Sequence, residues 1–231
     1  MSSLDGKVAL ITGAKGGLGT FVTNAFLSEG AIVAGSSRSI RDQDFAHTRF
    51  AAYPAELSDT ARARALAESV VRRFGRIDVL VHLVGGFAAG AVADTDAKVL
   101  DQMLDVNLRS AFYAIQATLP VMREQLAGRI IAIGSRAAVE GNAGVGAYSA
   151  SKAALAAVIR AVAAENKEFG ITANLVLPGT MDTPGNRAAN PQADFSRWVQ
   201  PADVAGVIVS LASQSYAPVS GALTPVYGKE L

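Results

Sequence analysis

The chain has 231 residues, half of them hydrophobic and 6% aromatic, and its 21 Lys and Arg nearly balance 20 Asp and Glu for a net charge of +1. This length fits one domain with a large aliphatic core, and a near-neutral charge without a basic run argues against nucleic acid or an anionic membrane as partner. Zero cysteines exclude disulfides and thiolate metal sites and fit a reducing compartment, so a cytoplasmic protein without a metal is expected.

Apolar runs alternate with amphipathic segments from end to end. Asp5 and Lys7 precede the first apolar run, which leaves no signal-peptide core. Val8–Ile11 reads as a strand. TGAKGGLG at 12–19 follows it and opens a helix over Leu18–Ser28. A strand, a glycine turn and a helix in that order form a phosphate cradle: glycines admit a pyrophosphate, and the helix end offers free N–H groups. Strands follow at Ala31–Gly35, Arg49–Tyr53 and Val79–Leu83, with a helix at Thr60–Phe74. A long helical stretch, with room for a break, covers Ala97–Gln125. The remaining strands are Arg129–Ile133, Thr172–Leu177 and Leu223–Val226, and the remaining helices Ser149–Phe169 and Pro201–Ser213.

Such alternation predicts a doubly wound α/β domain over 1–231, with about seven parallel strands in one sheet and helices on both faces. No apolar run approaches the ~20 residues of a membrane span. The last three residues, Lys229 to Leu231, read as an ordinary tail. Ligands in such sheets lie beyond the carboxyl ends of the strands. Gly13, Ser37, Gly85, Ser135 and Pro178 all stand at strand ends and are expected to line one crevice. Thr180 to Trp198 shows no sustained helical period and reads as a loop over that crevice.

Tyr148 and Lys152 are four residues apart and share a helix face. A free phenol titrates near 10, too high for acid–base work at neutrality. A neighbouring ammonium favours the phenolate. Lowering the pKa by about three units takes roughly 4 kcal/mol, which Lys152 and a cationic oxidised nicotinamide could supply together.

With these motifs in order, the chain resembles the short-chain dehydrogenase/reductase family over nearly its whole length. The resemblance assigns Thr12, Gly13, Gly17 and Gly19 to the glycine motif. It makes Asn107, Ser135, Tyr148 and Lys152 catalytic, with Asn107 holding a water that links Lys152 to solvent. Cofactor contacts are expected from Thr12, Gly13, Lys15, Gly17, Leu18, Gly19, Ser37, Arg38, Gly85, Tyr148, Lys152, Pro178, Gly179 and Thr183. After the second strand the chain reads Ser36-Ser37-Arg38, with no carboxylate to bind a ribose 2′-hydroxyl or repel a 2′-phosphate. Arg38 can pair with that phosphate, with Arg41 and Lys15 assisting, so NADP(H) is expected over NAD(H).

Two departures stand out. His82-Leu83-Val84-Gly85 replaces the family's Asn-Asn-Ala-Gly, which removes the asparagines that brace the sheet; His82 reads as packed or hydrogen-bonded. The C-terminal third, from Leu177 to Pro184 and on through Trp198, resembles the dihydropteridine reductase branch, although that branch lacks a serine matching Ser135 and has an aspartate near Ser37. The expected activity is hydride transfer between nicotinamide and a small carbonyl or alcohol. Reduction of a quinonoid dihydropterin is the alternative, and a non-catalytic nucleotide-sensing regulator a more distant one. Alanines along Ser151 to Ala164, with the apolar stretch Ala111 to Leu119, predict helix packing across a two-fold axis into a homotetramer or homodimer.

Overall fold

The computed structural model describes residues 2–229; Glu230 and Leu231, part of the expected tail, lie outside them. Seven strands make one parallel sheet in the order β3-β2-β1-β4-β5-β6-β7. They are β1 Val8–Thr12, β2 Ile32–Ser37, β3 Phe50–Pro54, β4 Val79–His82, β5 Gly128–Ile133, β6 Ile171–Pro178 and β7 Leu223–Val226. β1 and β6 are buried at every position, as expected for strands covered on both faces. The chain order reverses between β1 and β4, and a ligand crevice belongs at that switch.

Seven α-helices cover the faces: α1 Gly19–Ser28, α2 Thr60–Phe74, α3 Ala97–Leu104, α4 Ser110–Glu124, α5 Gly146–Glu165, α6 Pro184–Ala189 and α7 Pro201–Ala212. One apolar layer joins α2, α4 and α5 to the sheet through Leu66, Val70, Ile115, Leu155 and Ile159. The other joins α1 and α7 through Val22, Phe26, Val204 and Ile208. Helix α5 is long and apolar enough by composition to cross a bilayer, but its apolar face is part of the first layer.

The break for which the long helical stretch left room is a π-turn at Asp105–Arg109, and Asn107 lies in that turn, fully buried. Two other local features differ from the sequence reading. Helix α5 begins three residues earlier than expected, which puts Tyr148 in its first turn rather than before it. The loop over the crevice contains a six-residue helix, α6, started by Pro184 and by Thr183 Oγ1 accepting from Asn186 N at 3.2 Å. Six residues are fewer than two turns, too short for a period to register in the sequence.

Candidate active site

The carboxyl ends of β1, β4, β5 and β6 open into a cavity of about 840 Å³. Eleven of the expected site residues line it: Gly13, Gly17, Leu18, Gly19, Gly85, Ser135, Tyr148, Lys152, Pro178, Gly179 and Thr183. Lys15, Arg38, Ser37, Thr12 and Asn107 do not.

At one end lies the glycine turn. A Cβ on Gly19 would fall on the Gly13 carbonyl oxygen, so only glycine lets α1 start so close to β1. No side chain caps the first turn of α1, and no acid occupies it. Ser37 ends β2 with its hydroxyl buried and unpartnered. These features fit a nicotinamide dinucleotide: an uncapped helix N-terminus suits the pyrophosphate, and an orphaned hydroxyl suits the adenosine-side ribose or its phosphate. Arg38 beside it is exposed. Lys15 departs from expectation, because it pairs with Asp44 at 2.9 Å and that contact holds the Asp44 carboxyl below its usual range. Arg38, next to Ser37 at the end of β2, is therefore the exposed cation available to such a phosphate.

At the other end, three chemical groups converge. Ser135 follows β5 and accepts from Ala137 N at 3.2 Å, which fixes its Oγ and leaves its own proton free to be shared. The Ser135 and Tyr148 hydroxyls share the cavity wall, and the serine acts to lower the phenol's pKa. Lys152, one turn along α5, sits 6.0 Å from the centre of the Tyr148 ring and donates to Ile133 O at 2.9 Å. Two hydroxyls with a cation behind them can bind one carbonyl oxygen and move a proton to it.

The electrostatics differ from the simple expectation. Burial pushes the Tyr148 phenol up, and Ser135 pulls it back only in part. Burial also lowers Lys152, to about 8. Without a second cation the lysine does not bring the phenol toward neutrality, so the lowering expected from the pair rests on the nicotinamide charge as well.

Asn107 is joined to this group through the floor. Its amide donates to Gly86 O and to Ser151 Oγ, both at 3.0 Å, and accepts from Gly86 N at 3.0 Å. Both donors are thus engaged, and the side chain clamps the turn after β4 instead of offering a free donor to a water. Gly85 lies between Asn107 and Lys152, where a Cβ would come 2.9 Å from Asn107 Oδ1. Sequence reasoning missed Ser151, which donates to Tyr148 O at 2.7 Å; its spacing from Tyr148 was the available signal. It also missed Phe87, whose ring meets Tyr148 edge-on at 5.0 Å, and Arg136 and Asn142 on the cavity wall; Asn186 and Asn190, also on that wall, belong to the expected loop over the crevice.

Known proteins give the same picture. The family model for short chain dehydrogenase matches residues 7–194. The 3-oxoacyl-[acyl-carrier-protein] reductase of Thermotoga maritima is 30% identical over 97% of this chain and 98% of its own. The cyclic-di-GMP-binding biofilm dispersal mediator protein of Escherichia coli is 32% identical over 99% of this chain and 98% of its own. Among solved structures, a short-chain dehydrogenase/reductase from Serratia marcescens superposes with a TM-score of 0.90 at 31% identity, covering 98% of both chains. A single parallel sheet of this order, a glycine turn at its switch point and a match over most of the chain make this protein a member of the short-chain dehydrogenase/reductase family and an NAD(P)-dependent oxidoreductase.

Proposed function

We propose that the protein is an NADP(H)-dependent enzyme that interconverts a small carbonyl compound and its alcohol. The observation that carries this reading is Ser135 and Tyr148 on one cavity wall, with Lys152 buried 6.0 Å from the Tyr148 ring and tied to Ile133 O. When bound, the nicotinamide supplies hydride to the carbonyl carbon or takes it from the alcohol. Ser135 Oγ donates to the substrate oxygen and stabilises the charge developing there. Tyr148 gives its phenolic proton to that oxygen in reduction and takes it back in oxidation. Lys152 offsets the charge left on the phenol. Asn107 keeps the Gly85–Gly86 turn in place beneath them.

Arg38, exposed beside the unpartnered Ser37 hydroxyl, supports a 2′-phosphate and hence NADP(H). The 3-oxoacyl reductase relative supports a carbonyl substrate. The pterin reading draws on the lid. There Asp182 holds Arg187 at 2.5 Å, Arg187 lies over Phe195 at 4.5 Å, and Asn186 and Asn190 face the cavity. The regulator reading gains nothing from a site that retains every reacting group. A chain without cysteine fits a reducing compartment, which supports a cytoplasmic location.

Assembly completes the proposal. Ala153, Ala157, Ala161 and Ala164 recur every three or four residues on α5 and are exposed, as is Phe112 on α4. A smooth apolar face left uncovered within one subunit supports packing of α4 and α5 against a second copy, as a homotetramer or homodimer.

Tyr148→Phe removes only the hydroxyl and is expected to bind NADPH normally while kcat falls by orders of magnitude. Unchanged kcat on a good ketone would end the proton-transfer role. Ser135→Ala separates the two substrates: ketone reduction is expected to collapse, and equal activity of both forms on quinonoid dihydropterin, without ketone turnover, would establish the pterin reading instead.

Ser37→Asp with Arg38→Ala is expected to shift preference from NADPH to NADH by about ten- to a hundredfold. Titration of the Trp198 fluorescence reads both affinities. Tighter NADH binding by the unaltered protein would refute the NADP assignment.

Lys152 predicts a trade between stability and activity. Its drop from 10.5 to about 8 corresponds to roughly 3 kcal/mol against the buried charge. Lys152→Met removes that cost and one hydrogen bond, so at pH 7 it is expected to stabilise the fold by about 1–2 kcal/mol while abolishing turnover. The folded state holds this proton less tightly than the unfolded chain, so wild-type stability recovers as pH rises from about 8 toward 10.5. The advantage of the variant should shrink over that window, and thermal unfolding at pH 7 and pH 10 measures it.

For the assembly, light scattering at micromolar protein is expected to give a multiple of the 23.8 kDa subunit. A monomer mass rules the interface out.

A further inference from the structure

One buried titratable side chain takes no part in the proton transfer above. His82 is the last residue of β4, 1% exposed, and absent from the cavity wall. Its Nδ1 lies 2.9 Å from Thr12 Oγ1 and its Nε2 lies 3.2 Å from Ser110 Oγ. Ser110 donates its only proton to Val106 O at 2.7 Å, so toward His82 it can only accept. The imidazole therefore carries its proton on Nε2, and Nδ1 accepts from Thr12. The result is one directed chain, Thr12 to His82 to Ser110 to the Val106 carbonyl, with every proton used.

The two ends of this chain matter. Thr12 ends β1, immediately before the Gly13 turn. Val106 and Ser110 bracket Asn107, in and just after the π-turn. The strand between them is gripped a second time four residues on, where Asn107 clamps Gly86. Burial, and after it the Lys152 charge, depresses His82 to about 3, so the ring stays neutral and the proton pattern is fixed throughout the working pH range.

We propose that His82 is a positioning residue that ties the glycine turn after β1 to the π-turn carrying Asn107, so that the cofactor cradle and the floor beneath Lys152 keep one fixed separation. The inference rests on the cofactor and carbonyl reading above.

The test begins with the unaltered protein. If it neither binds NADPH nor reduces any ketone, the functional reading fails, whatever the variants do. His82→Phe keeps the ring and removes both bonds; NADPH affinity and kcat at saturating cofactor are each expected to fall by about tenfold. His82→Asn places an amide oxygen where Nδ1 was, but its donor falls short of Ser110. It is expected to restore NADPH affinity and leave kcat low, a split that a general loss of stability does not produce. Affinity and kcat within twofold of wild type in His82→Phe, or equal losses of both in the two variants, would overturn the proposal. Should His82→Phe fail to fold, the ends of the chain decide. Thr12→Val is expected to weaken NADPH by about tenfold, and Ser110→Ala to slow kcat by about tenfold at unchanged affinity. If neither quantity moves by more than twofold in either variant, the proposal is wrong.

Discussion

The ammonium of Lys152 lies almost wholly inside the protein, 2.9 Å from the Ile133 carbonyl, and burial alone accounts for its depressed pKa. A cation so placed is unfavourable for folding, and much of the surrounding arrangement follows from accommodating it. The carbonyl that receives it comes from the end of β5, so the strand must stop there and leave that oxygen outside the ladder. The helix that carries it must begin early enough to put Tyr148 in its first turn. Gly85 leaves room beside it, since a Cβ there would come 2.9 Å from Asn107 Oδ1 and 3.3 Å from the ammonium. Each is a requirement on a different element, and they meet at one charge.

The same charge bears on the polar chain beneath. His82 is kept neutral first by its own burial and then by Lys152. A neutral imidazole donates at one nitrogen and accepts at the other, which is what a bridge between Thr12 and Ser110 requires. A protonated ring would offer two donors and leave Thr12 without an acceptor for its hydroxyl. Buried polar groups of this kind are favourable only when every member has a partner, and here every member does. The buried polar atoms without partners lie elsewhere, and one of them, Ser37 Oγ, stands at the end of β2.

The reacting groups and the lid are held by different means. Ser135, Tyr148 and Lys152 are fixed by strand ends and the start of a twenty-residue helix. The lid is tied mostly to itself, through Asp182 with Arg187 and Gln200 and through the Arg187–Phe195–Trp198 stack. It touches the cradle where a Cβ on Gly17 would meet the Thr183 methyl at 3.3 Å. A segment cross-linked within itself and seated lightly on the site can vary its substrate contacts while the chemistry beneath stays in place.

The parallel sheet of about seven strands, and the placing of the glycine turn and Ser135 at strand ends with Tyr148 and Lys152 on one helix face, were legible in the sequence, because each depends on local pattern. Apolar runs of strand length, helical periods and fixed spacings within one element are properties of neighbours along the chain. Contacts between elements were not legible. Nothing near Lys15 announces that Asp44 will take its charge, and nothing near Asn107 announces Gly86 and Ser151 as its partners. The missing asparagines before Gly85 read as a lost brace, yet His82 braces the sheet from the same place through residues 70 and 28 positions away. The rise in the Tyr148 pKa was hidden for the same reason: the sequence places a cation one turn away, but burial, which overrides it, is a sum over the whole fold. Sequence by itself determined which elements form and which reacting groups they carry; tertiary structure alone decided who pairs with whom and what burial does to their charges, because pairing and desolvation act through space between segments that the chain keeps far apart.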